Sequence, residues 1–424
     1  MTEYLRSENK LPAESKLHIG VRLAVVLLLV VLFLVLPVSC KTSGGSSSTE
    51  EPSVIGDSSS GGGNSAEASS LSGDSSANGG ESQHSGGGDL SSGDGSTSPD
   101  VPDTVPVFDG DYRAAMRSFI IRIASYARTK PAADGSVNPK FIVIPQNGQE
   151  VAWNNDDDIG VKEPDKAYFA AIDGCGREDT FFGCNADNVA TKKSDRDKFK
   201  EICAPFLKAG KTVLSIDYCS SLKNIQSSYE LNDEAGYVAF AAPDRNLSVI
   251  PEIAGAESLY PYKKNNSDIN KLSDAKNFLY LLNASDFEDE YGSVPGSAFV
   301  NALIPLDYDL IVMDAFTNDG DNVFTKAQIS SLKKKAGGGK RLVIAYMSIG
   351  EAEDYRWYWN QKKDKPWLDA ANPEWEGNYK VKYWLSEWQD IICGGKDSYI
   401  QKIMNAGFDG VYLDIVDAFQ YFEE

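Results

Sequence analysis

The sequence predicts an α/β protein, a (β/α)8 TIM barrel preceded by a long disordered linker. Three observations lead there. Beyond about Thr104, short apolar runs alternate with helical patterns, the signature of βα units around a parallel sheet. Eight such runs can be placed over roughly 320 residues, which suits one barrel with insertions. Both histidines, His18 and His84, precede that region, so any chemistry in the barrel proceeds without imidazole. Ser-His-Asp triads, Cys-His pairs and His-ligated zinc are thereby excluded, and neither a metal nor a cofactor is expected.

The chain has 424 residues, 62 Asp plus Glu against 41 Lys plus Arg, and a net charge of −21. That balance argues against nucleic acid as a partner, because phosphate binding needs clustered cations. The apolar run Leu23 to Leu36 follows Lys10, Lys16 and Arg22 and ends in Pro37-Val38-Ser39-Cys40. It is short for a membrane span of about 20 residues and has the build of a secretory signal. A cysteine after a small residue at such a point resembles the bacterial lipoprotein lipobox, which implies lipidation of Cys40, an N-terminal lipid anchor on the membrane and an extracytoplasmic location. Plain secretion or an uncleaved anchor gives the same location. From Lys41 to Asp100 there are 20 Ser and 14 Gly and no aromatic residue, a composition that cannot offset its ordering entropy. The expected organisation is therefore residues 1–40 as signal, 41–103 as disordered linker and 104–424 as the barrel.

In chain order the expected strands are Phe141 to Pro145, Tyr168 to Asp173, Thr212 to Asp217, Tyr237 to Ala241, Leu310 to Asp314, Leu342 to Met347, Tyr379 to Trp384 and Gly410 to Asp414. Several are continuous apolar runs, as strands covered on both faces require. Helices lie between them. Thr325 with Gln328 forms a capping box, lysines crowd the last turn near Lys335, and Gly337 follows as a C-cap candidate,. Many runs finish in polar or acidic residues: Gln146 and Asn147, Asp173 with Glu178, Asp217, Asp314, Ser348 with Glu351, and Asp414 with Asp417. On a barrel these sit at the C-terminal rim, where active sites of the fold are built. Any one of them could equally begin an ordinary loop; together they describe an acidic cup.

The segments Leu342 to Arg356, with Tyr346-Met347-Ser348-Ile349-Gly350-Glu351 at their centre, and Gly407 to Ala418, with Phe408-Asp409-Gly410-Val411-Tyr412-Leu413-Asp414, resemble the endo-α-1,4-polygalactosaminidase family of glycoside hydrolases. Phe141 to Glu150 and Ile172 to Asp179 resemble an extracellular TIM-barrel subgroup of it. The resemblance runs from about Asp111 to the C-terminus. In the family the Gln-Asn-Gly strand is fifth, whereas here it opens the domain, so the resemblance implies a circular permutant with strands in the order fifth to eighth, then first to fourth. This requires the Phe141 strand to pair with the Gly410 strand. The resemblance assigns the two essential carboxylates to Asp414 and Glu178, with Asp414 expected as nucleophile or charge stabiliser and Glu178 as acid and base. It implies cleavage of an α-1,4-linked, galactosamine-rich polysaccharide; a monomer is expected.

Glycosidic cleavage uses two carboxyl groups across the bond. Gln146, Asn147, Asp173, Asp217, Asp314, Tyr346, Glu351, Arg356 and Asp417 are the candidates for holding substrate around them. Glu351, Asp354 and Arg356 could instead form an internal ion-pair set. Six of seven tryptophans lie between Trp357 and Trp388; most should pack under that loop, with one or two lining a carbohydrate groove. A deacetylated galactosamine polymer is a polycation, and an acidic barrel would attract it. Among the five cysteines after Cys40, Cys175 with Cys219 is the expected disulfide. The alternative reading is a non-catalytic glycan-binding surface lipoprotein.

Overall fold

A computed structural model of the chain describes residues 108–284, 287–317, 320–361 and 364–423. The signal segment, the linker and Cys40 lie outside the described residues. Helix α1, Tyr112–Thr129, opens the described chain on an N-cap in which Asp111 accepts from the Ala114 N–H at 2.8 Å. Eight parallel strands follow: β1 (Ile142–Pro145), β2 (Gly174–Glu178), β3 (Thr212–Tyr218), β4 (Val238–Ala242), β5 (Phe278–Leu281), β6 (Leu310–Asp314), β7 (Leu342–Ser348) and, after a small antiparallel sheet, β11 (Gly410–Asp414). The small sheet comprises β8 (Glu351–Glu353), β9 (Leu368–Ala371) and β10 (Asn378–Val381) in the order β8-β10-β9.

The ladders run β5-β6-β7-β11-β1 and β2-β3-β4. A parallel bridge between Gln146 and Gly176, with Asp173 N–H on Val143 O at 2.9 Å, joins β1 to β2. The result is a mixed α/β architecture on a parallel sheet, consistent with a barrel. Phe240 of β4 and Phe278 of β5, the two ends of this run, bring their ring centroids to 5.9 Å. Strand β1 pairs with β11 in the register Ile142 to Gly410. This joins the first and last of the eight strands and is the same for a permuted and an unpermuted order.

Two expected strands are corrected. Lys166–Ala171 is a helix, because Asp165 caps it by accepting from the Tyr168 N–H at 2.8 Å. The strand lies just beyond, in the glycine-rich Gly174–Glu178 segment. Glycine is needed there: a Cβ on Gly174 would stand 2.4 Å from Thr212 O, and one on Gly176 would stand 1.8 Å from Tyr412 Oη,. Tyr379 belongs to β10, antiparallel to both β8 and β9, and the vacant place in the parallel sheet is taken by β5. That run ends in Leu281-Leu282-Asn283 rather than in a carboxylate, so it lacks the mark that singles out most of the others. The capping box at Thr325 and Gln328 is present, but the helix is Lys326–Leu332. It stops early because Lys334 bridges to Lys340 and the Lys335 ammonium is drawn to Asp309 at 2.7 Å.

The amino-terminal ends of the strands share one device. An aspartate preceding a strand accepts a backbone N–H from a neighbour and meets a cation: Asp173 with Val143 N and Arg128, Asp309 with Lys276 N and Lys335, Asp409 with Val343 N and Lys333. Asp173 therefore sits at the end opposite the rim, correcting its expected place. Cys175 and Cys219 are both free and buried. Cys175 lies instead beside Cys203, which overturns the expected disulfide.

Candidate active site

The carboxyl ends of β1, β2, β3 and β11 converge. Three of the residues that end them have left-handed backbones: Asn147 (φ 54°), Asp179 (φ 59°) and Ile415 (φ 58°). For a β-branched isoleucine this is a strained conformation, of the kind that collects at functional sites. Gly148 (φ 52°) completes the turn after β1; a Cβ there would stand 2.8 Å from the Asp417 nitrogen, so only glycine lets the two loops touch.

Glu178 is held by three donors. Gln146 Nε2 donates to Oε2 at 2.7 Å and Asn147 Nδ2 to the same oxygen at 2.9 Å, while the Tyr218 hydroxyl donates to Oε1. The Tyr280 hydroxyl donates to Gln146 Oε1 at 3.1 Å and so orients that amide. Asp414 accepts from the Tyr346 hydroxyl at 2.9 Å and from the Ile415 N–H at 2.8 Å. Burial, and then the Glu178 charge, push the Asp414 carboxyl well above the usual carboxylate range, and the two donors only partly oppose this,. The site thus pairs Glu178, bound by three side-chain donors, with an Asp414 carboxyl group whose burial favours its protonated form,. Asp417 is pushed up to about 6, by burial first and then by Glu150. Asp179 is also raised to about 6 by burial, opposed by Arg245 at 2.9 Å. The Arg245 guanidinium lies 3.8 Å over the Tyr218 ring.

Below the pair, Tyr412 is fully buried, its ring 5.2 Å from Tyr280, and among the described residues its hydroxyl has no hydrogen-bond partner. Tyr218, Tyr280 and Tyr412 were not singled out in the sequence. Their signal was available as a tyrosine at or near the end of three apolar runs, a pattern that ordinary core packing also produces.

Of the residues expected to hold substrate, Gln146, Asn147, Tyr346 and Asp417 gather around Glu178 and Asp414. The others do not face the cleft. Asp217 is fully buried and accepts from Phe181 N, Phe182 N, Ser228 Oγ and Asn232 Nδ2 at 2.6 to 3.2 Å, fixing the loop after β2. Arg356 is buried and bonded twice to Asp314, at 2.9 and 2.6 Å, and also to Glu353 at 2.7 Å. Asp314 and Arg356 therefore saturate each other. Glu351 is buried against Asn372 at 2.9 Å and Lys380 at 3.7 Å. Of the tryptophans, Trp367 and Trp388 pack together in the core with centroids 4.9 Å apart, whereas Trp375 is 46 % exposed. A cavity of about 350 Å³ opens at the other end of the strands, beside Lys211, Thr212, Tyr237 and Lys276, away from both carboxylates.

Residues 283–424 match the model of the glycoside-hydrolase family GH114. Uncharacterized proteins of Methanocaldococcus jannaschii, Thermotoga maritima and Deinococcus radiodurans are similar, at 41 % identity over 177 residues, 43 % over 84 and 38 % over 128. These alignments take in 41 %, 19 % and 30 % of this chain. The chain spans less than half of each relative's length, 43 %, 25 % and 38 % respectively. The family match covers β6, β7 and β11, the last of which ends in Asp414, and it supports placing the chain among the glycoside hydrolases.

Proposed function

We propose that this protein is an extracytoplasmic glycoside hydrolase that cleaves an α-1,4-linked, galactosamine-rich polysaccharide with Asp414 and Glu178. The observation that carries the reading is the pairing of these two carboxyl groups at the strand ends flanking β1, each with its own tyrosine donor. One carboxyl group protonates the departing glycosidic oxygen and the other attacks the anomeric carbon or activates water. Burial of Asp414 beside Glu178 favours Asp414 as the acid, with Glu178 as the nucleophile or base, the reverse of the sequence expectation,. A working separation of about 5 to 5.5 Å gives retention of configuration, and about 6.5 to 9.5 Å gives inversion. Gln146, Asn147, Tyr346 and Asp417 line the cleft around them.

The eight parallel strands form a barrel closed between β4 and β5. Taken from the family order, β1 to β4 are the fifth to eighth strands, and β5, β6, β7 and β11 the first to fourth. With β10 outside the parallel sheet, this numbering places Gly410–Asp414 fourth without a gap. The Leu23 to Leu36 run and Cys40 supply export and a lipid anchor, and the Ser/Gly segment acts as the spacer. Palmitate labelling of cells should mark the protein, and Cys40→Ser should abolish the label.

The deciding assay is reducing-end release from partially deacetylated α-1,4-galactosaminogalactan by the detergent-solubilised chain. Release by the wild type, with losses of at least about 100-fold in Glu178→Gln and in Asp414→Asn, upholds the hydrolase. Binding without release by the wild type replaces it with a surface lectin.

A further inference from the structure

The turn after β4 carries a cation into the network around Glu178. Tyr218, the last residue of β3, is buried and gives its hydroxyl to Glu178 Oε1. The Arg245 guanidinium lies 3.8 Å from the centroid of that phenol ring. Its own hydrogen bonds fix it there: Nη2 donates to Asp179 Oδ1 at 2.9 Å and to Gly183 O at 3.1 Å, Nη1 to Asp179 Oδ2 at 3.4 Å, and Nε to Asp187 Oδ1 at 2.8 Å. The turn that carries Arg245 is pinned to the end of β5, where the Leu282 N–H donates to Leu247 O at 2.9 Å. The packing also requires glycine at position 183 (φ 117°), because a Cβ there would stand 2.1 Å from Asp179 Oδ1 and 3.1 Å from Arg245 Nη2,.

A cation held over an aromatic face draws on the electron density of the ring, and a phenol polarised in this way is a stronger hydrogen-bond donor. Burial and then the Glu178 charge push the Tyr218 phenol well above its usual range, and the Arg245 charge opposes them. Among the described residues, the other titratable groups that face Glu178 are Asp414 and Tyr412 of β11, Asp417 just beyond it, Tyr280 of β5 and the adjoining Asp179. None of them is a cation, and the neighbouring Arg177 is turned onto the Phe199 ring at 3.7 Å. We infer that Arg245 is a positioning residue for Glu178, holding and polarising the Tyr218 phenol so that its hydroxyl binds the Glu178 carboxylate. Its consequence for turnover rests on the hydrolase reading proposed above; its consequence for Glu178 does not.

The test follows the Glu178 carboxyl carbon by NMR in the full-length protein labelled in glutamate, the signal being assigned with Glu178→Gln. The pH profile of kcat/KM for reducing-end release is recorded beside it. A carboxylate served by a weaker donor takes up its proton at higher pH. Arg245→Met should therefore raise the midpoint of the Glu178 signal by about 0.5 to 1 pH unit. The acidic limb of kcat/KM should move up with it, since Glu178 acts as nucleophile or base. Arg245→Lys, which keeps the charge, should give a smaller rise. Tyr218→Phe keeps the ring and removes the donor; in that background Arg245→Met should produce less than half its rise, the remainder coming from the uncompensated Asp179 charge. A midpoint that Arg245→Met leaves unmoved overturns the inference, as does a rise of half or more in the Tyr218→Phe background, whether or not the polymer is cut. A wild type that releases no ends, with the midpoint still moving as expected, removes the hydrolase and upholds the positioning role.

Discussion

Asp414 and Glu178 are chemically alike, and their surroundings make them different. Three side-chain donors converge on Glu178, whereas Asp414 is desolvated beside another carboxylate and has two donors. If the proton rests on Asp414, Asp414→Asn should retain turnover on an oligosaccharide with a nitrophenolate leaving group, which needs no protonation, while losing the natural polymer. Glu178→Gln should lose both. Steady-state rates on the two substrates decide this, and the opposite pattern restores the assignment expected from the sequence. Asp417 gives a stability prediction. Its carboxyl, ordinarily near 3.8, is raised to about 6 by burial and Glu150, so the folded state holds the proton more tightly than the unfolded one. Stability is then present at low pH and is lost as pH rises through that window. Asp417→Asn should therefore be more stable than wild type at pH 8, by about 1 to 3 kcal/mol. The gain should vanish toward pH 4, as melting curves at the two values would show.

At the scale of elements, the strands are anchored at their amino-terminal ends and free to do chemistry at the other. The Lys335–Asp309 pair is fully buried at 2.7 Å, and Asn265 bonds both partners. Breaking a buried pair leaves an uncompensated charge, so Lys335→Met should cost about 3 to 5 kcal/mol. Because this pair lies at the end of the sheet away from the site, kcat of the folded fraction should be unchanged; denaturant melts together with kinetics separate the two effects. The Arg356 set works differently. It ties the end of β6 to the turn after β8 through Asp314 and Glu353. Asp314 and Arg356, which read as substrate ligands in the sequence, serve this scaffold, because a buried guanidinium and carboxylate satisfy one another better than either satisfies a mobile ligand; Glu351 is taken up separately by Asn372 and Lys380.

For the whole molecule the net charge of −21 is the dominant long-range feature. Attraction of a cationic polymer by that field is screened within about 8 Å at physiological salt and reaches about 30 Å at 0.01 M. KM for a deacetylated polymer should therefore rise several-fold between about 0.01 and 0.3 M salt, while KM for an acetylated one stays flat; a substrate pair assayed across that range checks it.

Six of the eight parallel strands were legible as apolar runs, since strands covered on both faces must be apolar along their length. The site was legible in part as well: Glu178, Asp414, Gln146 and Asn147 lie where strands end, and position along a parallel strand fixes which face of the sheet a terminal residue reaches. Sequence by itself determined the exclusion of imidazole chemistry, the acidic field and the α/β layering, because these depend on composition and local periodicity. Tertiary structure alone decided the rest. It revealed β2, whose glycines are required by Thr212 and Tyr412 from other strands. It sent Asp173 to the opposite end and Asp217 into the core, and it buried Asp414 beside Glu178. Each of these outcomes depends on neighbours distant along the chain, and on their desolvation and donors, which no local pattern records.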